Sequence, residues 1–311
     1  MPLFRLRADH KRSEARGERI EGGHMSISLI PKNPEELGEA LSQLTERSLI
    51  LGGGTDLIIV MREKLLSPDK LLSLSDIPEL REIRVTEDTA SIGAMATMTE
   101  VEHALAGYPE LRALSEAAGG VGSVQIRNKG TIGGNVANAS PAGDLPPVLW
   151  MLDAEVELMG PAGALRSVPI REFIRGVKDT DRAYNEVLTR FIIDRRALAG
   201  FETAFEKLGH REQVTISRIG LAAALKRNAQ GVVMEARVVA GAIQTKPFRL
   251  EAAEQLLIGT KAEPTAALAV AIGDTFEGNT RRRYKAAAAK GVAENLLKRF
   301  AKKTEKTEDK S

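Results

Sequence analysis

Two glycine runs, "LGGGTD" at residues 51 to 56 and "GTIGGN" at residues 130 to 135, hold the residue types in this chain best suited to chemistry. Glycine has no Cβ, so consecutive glycines let main-chain N–H groups turn toward one point and approach an anion closely. Thr55, Thr131 and Asn135 add side-chain donors beside them. A pyrophosphate held in this way gains about 1.5–3 kcal/mol per charge-assisted hydrogen bond, so three or four such bonds decide whether a nucleotide is retained. A hairpin turn or a linker is the competing reading of either run taken alone. Neither run is the dinucleotide fingerprint G-x-G-x-x-G or the phosphate loop G-x-x-x-x-G-K-[ST].

Other chemistries have little to work with. The chain has no cysteine, which excludes disulfides, a thiolate nucleophile, a cysteinyl iron-sulfur cluster and a thioether-linked flavin within it. His10, His24, His103 and His210 are its imidazoles, and no two of them have metal-ligand spacing. No metal site and no catalytic acid or base are expected.

The chain has 311 residues, 43% apolar and 28% charged, which fits a globular protein of two or three domains. The formal net charge is +2, and the basic excess is concentrated at Arg5, Arg7, Lys11, Arg12, Arg16 and Arg19. Without that segment the chain is near neutral, so no nucleic-acid partner is expected. No apolar run reaches the roughly 18 to 20 residues of a membrane helix. Residues 1 to 24 lack the apolar segment of a secretory signal, and a cytoplasmic location is expected. The tripeptide "EGG" at Glu21 to Gly23 can be encoded by a purine-rich ribosome-binding sequence, one codon ahead of Met25. Residues 1 to 24 are therefore expected to be a translated leader, with Met25 the true start. Natural protein that begins at Met1 or Pro2 refutes this.

The glycine runs need elements to hold them. A short β run over residues 27 to 30 ends at Pro31. "NPEELGEALSQL" then reads as a helix with Asn33 as N-cap, Pro34 at the first helical position, and Leu37, Ala40, Leu41 and Leu44 on one face. "SLILGGGTDLIIVMRE" reads as strand, glycine turn and a second apolar segment. "KLLSLSDI" and "EIRVTEDTASIGAMAT" read as strands, the latter turning near Glu87 and Asp88. Residues 99 to 118 carry a helical pattern, opened by a capping box of Thr99 and Glu102 and interrupted at Gly107 to Pro109. "LPPVLWMLDAEVELMG" reads as strand, "SVPIREFI" as a short helix or turn, and "EVLTRFII" as the strand that ends the first half. Beyond about residue 198, "GFETAFEKLG" reads as helix, followed by two alternating runs split by a turn at Asn228 to Gly231. Helices are expected at 249 to 258, 264 to 272 and 280 to 300, then a charged tail over 301 to 311. The order is mixed, not a repeated βαβ, and predicts an α+β protein with antiparallel components.

"LGGGTDLI", "TIGGNVANASPAGDLPPVLWMLDAEVEL", "FEKLGHREQVTIS" and "RRRYKAAAAKGVAENLL" together resemble the flavin-binding (medium) subunit of molybdenum hydroxylases, in the right order over about residues 27 to 300. That family includes carbon monoxide dehydrogenase and the bacterial xanthine, nicotinate and hydroxybenzoyl-CoA enzymes. The resemblance implies FAD held between two α+β subdomains of the vanillyl-alcohol-oxidase-like (PCMH-type) fold, over residues 25 to 80 and 81 to 198. A C-terminal antiparallel sheet-and-helix domain would follow over 199 to 300. The family's first glycine loop corresponds to Leu51, Gly52, Gly53, Gly54, Thr55, Asp56 and Leu57, and its second to Thr131, Ile132, Gly133, Gly134 and Asn135, both wrapping the pyrophosphate. The resemblance also implies Asp144 on the adenosine side, Thr97 from the "IGAMAT" strand, Leu188 beside the flavin ring, and Lys207.

Lys207 suits a reduced flavin's negative charge or a phosphate, against the plainer reading of a surface lysine on a helix. Asp144 can accept ribose hydroxyls or cap the segment that follows it. Tyr108, Trp150 and Tyr184 are expected to be packing residues, and His103 a helix-surface histidine. The absence of cysteine rules out the extra iron-sulfur cluster of hydroxybenzoyl-CoA reductase flavin subunits.

The function implied by the resemblance is electron transfer within a hetero-oligomer. A large molybdenum-cofactor subunit would hydroxylate the substrate and a small [2Fe-2S] subunit would relay electrons. FAD in this chain would then pass them to an external acceptor. Two other readings stand beside it. One is a self-contained FAD-dependent oxidase or reductase with its own substrate site, opposed by the short stretch available after residue 198. The other is an interaction subunit whose glycine loops no longer hold a nucleotide.

Overall fold

The computed structural model describes residues 26–209, 216–263, 265–279 and 283–301. The expected leader at 1 to 24, and the expected tail beyond residue 301, lie outside them, as do His10, His24 and His210.

The chain opens with β1 (Ile27–Leu29), α1 (Pro34–Ser42), β2 (Leu49–Leu51), α2 (Leu57–Glu63) and β3 (Lys70–Ser73), whose strands pair in parallel in the order β1-β3-β2. Asn33 caps α1 by accepting from the Glu36 N–H at 2.9 Å, and Pro34 takes the first turn, where its missing N–H is no loss. Leu37, Leu41 and Leu72 are fully enclosed between this helix and the sheet.

A second, antiparallel sheet is built from β4 (Ile83–Val85) and β5 (Thr89–Gly93). Five helices follow before it resumes: α3 (Met98–Leu105), α4 (Arg112–Gly119), α5 (Val124–Arg127), α6 (Ile132–Ala137) and α7 (Leu145–Met151). The chain then adds β6 (Glu155–Met159), β7 (Leu165–Pro169), α8 (Ile170–Phe173), the hairpin of β8 (Ile174–Gly176) and β9 (Asp179–Thr180), and β10 (Val187–Asp194). The strand order is β4-β5-β10-β6-β7, so the last strand to be made is inserted at the centre. A register shift between Leu188 and Arg190 bulges β10 at Thr189, whose carbonyl accepts from the Ala94 N–H at 2.9 Å. The helices cover the inner face through Met98, Leu114, Ile132 and Leu149.

The third sheet is a meander of β11 (Phe201–Leu208), β12 (Ile219–Arg227), β13 (Val233–Gly241) and β14 (Phe248–Arg249). It is followed by α9 (Glu251–Leu257), α10 (Ala266–Asp274) and α11 (Arg283–Ala301). Both of its faces are covered. Phe201, Phe205, Ala222, Ala224 and Val239 join the central core beside α4 and α7, while Ala204, Ala223, Leu225, Val238 and Ala240 pack on α9 to α11.

The mixed α and β content, the strands and the capped first helix agree with the sequence reading, and four local expectations change. Residues 201 to 208 form a strand, not a helix, so Phe201, Phe205 and Lys207 share one side of it. The "IGAMAT" strand stops at Gly93, and Thr97 is instead the N-cap of α3, with Glu100 completing a capping box two residues ahead of the expected Thr99 and Glu102. Residues 145 to 151 are helical because Pro146 and Pro147 stand in the first turn, and the strand begins only at Glu155. Tyr184 is exposed rather than packed, whereas Tyr108 and Trp150 do line the core and His103 is exposed on α3. No helix among the described residues is long and apolar enough to cross a membrane.

Candidate cofactor site

The two glycine runs lie against each other. A Cβ on Gly53 would stand 1.8 Å from the Lys129 carbonyl oxygen and 3.1 Å from Gly130 Cα, so main chain rests on main chain there. A Cβ on Gly52 would meet Thr131 Oγ1 at 3.2 Å, and one on Gly130 would meet Thr55 Oγ1 at 3.5 Å. Gly54 takes the left-handed conformation, φ +74°, and turns the chain from β2 into α2, where the Ile58 N–H donates to the Gly54 carbonyl at 3.3 Å. Among the described residues, the main-chain N–H groups of Gly52 through Leu57 find no acceptor. They form a run of consecutive bare donors, the concavity that suits a phosphate. Asp56 at its end accepts from Asn138 Nδ2, and Asn138 Oδ1 accepts from Lys178 Nζ, which ties the loop to the end of α6 and to the β8-β9 hairpin.

The second run is different. Thr131 caps α6, its hydroxyl accepting from the Gly134 N–H at 3.1 Å and its carbonyl from the Asn135 N–H at 3.0 Å. The Ile132 N–H donates to the Ala96 carbonyl at 3.0 Å and the Gly133 N–H to the Ala94 carbonyl at 2.8 Å. A Cβ on Gly133 would lie 2.7 Å from both the Cβ and the carbonyl oxygen of Ala94. This glycine is required by packing, and the amides around it are already used. The expectation of bare amides in both runs thus holds for the first and fails for the second. What the second run presents is the Asn135 side chain, whose Oδ1 is buried without a hydrogen-bond partner. A buried polar atom left alone is costly unless a ligand completes it.

Thr97 faces Thr131 across an isolated bridge, and its hydroxyl is engaged with Glu100, accepting from the main-chain N–H at 3.3 Å and donating to Oε2 at 2.9 Å. Leu188 is 5% exposed within the central apolar cluster, on the strand that backs Ala94 through Thr189.

Asp144 and Lys207, 63 positions apart, are in direct contact: Lys207 Nζ donates to Asp144 Oδ2 at 2.6 Å and to the Gly120 carbonyl at 2.7 Å. Ser217 Oγ donates to Asp144 Oδ1. Asp144 bonds to no amide of α7, so it does not act as that helix's side-chain cap. Burial pushes its carboxyl up, and the Lys207 charge and the bonds from Lys207 and Ser217 oppose that rise. Sequence reasoning missed Gly120, Asn138 and Ser217. The run "GGVG" at 119 to 122 was a visible signal for the first, while nothing local marks the other two.

Residues 24–194, over half of the chain, match the family described as FAD binding domain in molybdopterin dehydrogenase. The chain belongs to this family. It is 36% identical over 279 residues to the nicotinate dehydrogenase FAD-subunit of Eubacterium barkeri, covering 86% of this chain and 94% of that one. It is 33% identical over 251 residues to the carbon monoxide dehydrogenase medium chain of Afipia carboxidovorans, covering 79% and 84%. Among solved structures, carbon monoxide dehydrogenase from Hydrogenophaga pseudoflava lacking the Mo-pyranopterin moiety superposes with a TM-score of 0.76 at 30% identity over 88% of this chain. Quinoline 2-oxidoreductase from Pseudomonas putida 86 shares the fold, with a TM-score of 0.79 at 23% identity. The family is one of oxidoreductases whose cofactor at this domain is FAD. The groups present here fit that cofactor: a row of bare amides that can donate to a diphosphate, an unpartnered Asn135 Oδ1 that can accept from a hydroxyl or N–H of the nucleotide, and a buried ammonium.

Proposed function

We propose that the chain is the FAD-binding electron-transfer subunit of a multi-subunit molybdenum hydroxylase. One observation carries this reading: in a member of the family, a loop of consecutive bare amides at Gly52 through Leu57 lies on the main chain of a second loop that holds the unpartnered Asn135. The amides suit the diphosphate, with Leu51, Thr55 and Asp56 shaping the loop that presents them. Thr131, Ile132, Gly133 and Gly134 hold Asn135 in place, and Thr97 fixes the segment opposite. Asp144 and Lys207 form the adenosine side or a charged wall, and Leu188 backs the ring site. Bound FAD supplies the redox chemistry, accepting electrons from one partner and giving them to another. The protein binds it, orients it and keeps the surrounding charge fixed.

The arrangement of units fits a PCMH-type fold. Residues 25 to 80 would form one subdomain around the parallel sheet and 81 to 198 the other around the five-stranded sheet, with 199 to 300 as the C-terminal domain. The partners are a large molybdenum-cofactor subunit and a small [2Fe-2S] subunit, in the cytoplasm. The names of the relatives, as FAD-subunit and medium chain, support a division of labour in which substrate chemistry happens elsewhere.

The test is purification of the full chain with added FAD. The expected product is yellow, retains flavin through gel filtration, and turns over no organic substrate until the two partner subunits are added. A chain that stays colourless, or one that oxidises a substrate by itself, overturns the reading.

A further inference from the structure

We infer that Ser217 is a positioning residue of the flavin site, acting through Asp144 to hold Lys207 against the turn at Gly120. The inference rests on the functional reading above and adds to it a residue that no glycine motif contains.

Four separate pieces of chain meet at this point. They are the turn after α4 at Gly120, the loop that leads into α7 at Asp144, the end of β11 at Lys207, and the approach to β12 at Ser217. Asp144 is 7% exposed, so each of its oxygens needs a donor from the protein or a ligand. Oδ2 accepts a hydrogen bond from Lys207 Nζ and Oδ1 accepts one from Ser217 Oγ. With both oxygens engaged, the carboxylate plane is fixed, and a fixed plane gives the rotatable ammonium of Lys207 one place to sit.

That place matters to two loops at once. The Lys207 ammonium spends one hydrogen on Gly120 and one on Asp144, bridging a turn and a loop 24 residues apart. The lysine stem is also part of the turn's packing, since a Cβ on Gly120 would lie 3.4 Å from Lys207 Cε. Gly122, two residues on, is in the left-handed conformation at φ +50°, so the turn has little freedom to reach the lysine in another way. The loop ending at Asp144 follows directly on α6, the helix that carries Asn135, and it is held from its other side by the Ala242 N–H on the Pro141 carbonyl at 3.0 Å. Ser217 thus completes a clamp that sets the height of the loop leaving the second glycine run and the position of a positive charge beside it.

Removal of the Ser217 hydroxyl leaves Oδ1 short of a donor and the carboxylate free to turn, and Lys207 then loses its fixed place. The experiment compares the full-length chain with Ser217→Ala, Ser217→Thr and Lys207→Gln, reading FAD dissociation constants by flavin fluorescence, the bound flavin's absorption bands and the thermal midpoint of the FAD-free protein. Ser217→Ala is expected to weaken FAD by about 10-fold, the scale of one hydrogen bond to a charged group, and to shift the bound flavin's bands. Ser217→Thr keeps the hydroxyl and is expected to stay within about threefold of the parent. Lys207→Gln is expected to weaken FAD at least as much as Ser217→Ala. Parent-like affinity and bands in Ser217→Ala overturn the inference, and so does equal weakening in Ser217→Thr, because the hydroxyl is then not the cause. An unaltered chain that binds no FAD at all overturns the functional reading instead.

Discussion

Gly53 faces the carbonyl of Lys129 at a separation that leaves no room for a side chain: a Cβ would lie 1.8 Å from the oxygen and 2.7 Å from the carbon. The glycines of the first loop therefore serve two ends. Gly53 lets one loop lie on the other, and the residues around it keep their amides bare. A site assembled from loops that meet at positions 53 and 129 depends on such a contact, because neither loop has a long helix or a wide sheet beneath it to set its place.

Gly53→Ala should therefore push the loops apart. The clash is with main chain, which cannot swing aside as a side chain can, and overpacking of this kind costs about 1–3 kcal/mol. The variant should lose FAD at the concentrations where the parent holds it and melt at a lower temperature. Gly133→Ala should behave similarly, through its contact with Ala94. Gly107→Ala is the control, since nothing lies within 4 Å of a Cβ there, and it should leave FAD binding unchanged. Equal behaviour of Gly53→Ala and Gly107→Ala in a flavin-retention assay would show that the loops are not in contact.

Asn135→Ala should separate ligand binding from stability. The buried Oδ1 bonds to nothing within the described residues, so its removal deletes no hydrogen bond from the FAD-free protein and relieves a desolvated acceptor. The FAD-free thermal midpoint is expected to hold or rise slightly. FAD affinity is expected to fall about 10-fold or more. A calorimetric scan that shows the free protein badly destabilised, with FAD affinity intact, would assign Asn135 to the scaffold.

Much of this architecture could be read from local pattern. Asn33 and Pro34 announced α1, "EVLTRFII" announced β10, and Asn228 to Gly231 announced the turn between two strands, because each depends on a few adjacent residues. Residues 201 to 208 were misread because "FETAFEKL" satisfies a helical period as well as a strand, and only pairing with β12 decides between them. The clamp was illegible for a related reason. Lys207, Asp144 and Ser217 are joined only through space, and no spacing rule links positions 144, 207 and 217. The glycine runs were legible as places where a Cβ would obstruct, but not the division of labour between them. The sequence shows where a Cβ is missing and not what fills the space.

Arg166 should govern the acid stability of the second sheet. Its guanidinium donates to Glu186 at 2.7 and 2.6 Å and to Asp181 at 2.5 Å, and these bonds are the first cause holding both carboxyls below their ordinary range, against the opposing effect of burial. A carboxyl depressed in the folded state adds stability above its unfolded pKa and loses it as pH falls through the folded one. For Glu186 and Asp181 that loss is expected below their ordinary values of 4.5 and 3.8. Arg166→Met removes the largest cause of the depression, so its acid-unfolding midpoint, followed by circular dichroism, should move to higher pH, with little difference between the two proteins near neutrality in pH dependence. An unchanged acid midpoint would mean that the network is screened by solvent at the sheet edge.

Lys207→Met should be costly in a way that a second substitution repairs. The ion pair is enclosed, with side chains 16% and 7% exposed, and loss of one partner of such a pair strands the other charge at a cost of about 3–5 kcal/mol. Lys207→Met with Asp144→Leu should be less destabilised than Lys207→Met alone, because no buried charge remains. The pH dependence gives the sign. Burial raises the Asp144 carboxyl and Lys207 opposes that rise, so without the lysine the folded-state pKa climbs further above the ordinary 3.8. The folded state then binds a proton more readily than the unfolded one, and stability falls as pH rises from the unfolded pKa to the raised folded one. Urea unfolding of Lys207→Met should accordingly show a larger deficit at pH 8 than at pH 5, while the deficit of the double variant does not grow with pH. A deficit in Lys207→Met that is independent of pH would mean that Asp144 finds another cation or water once the lysine is gone.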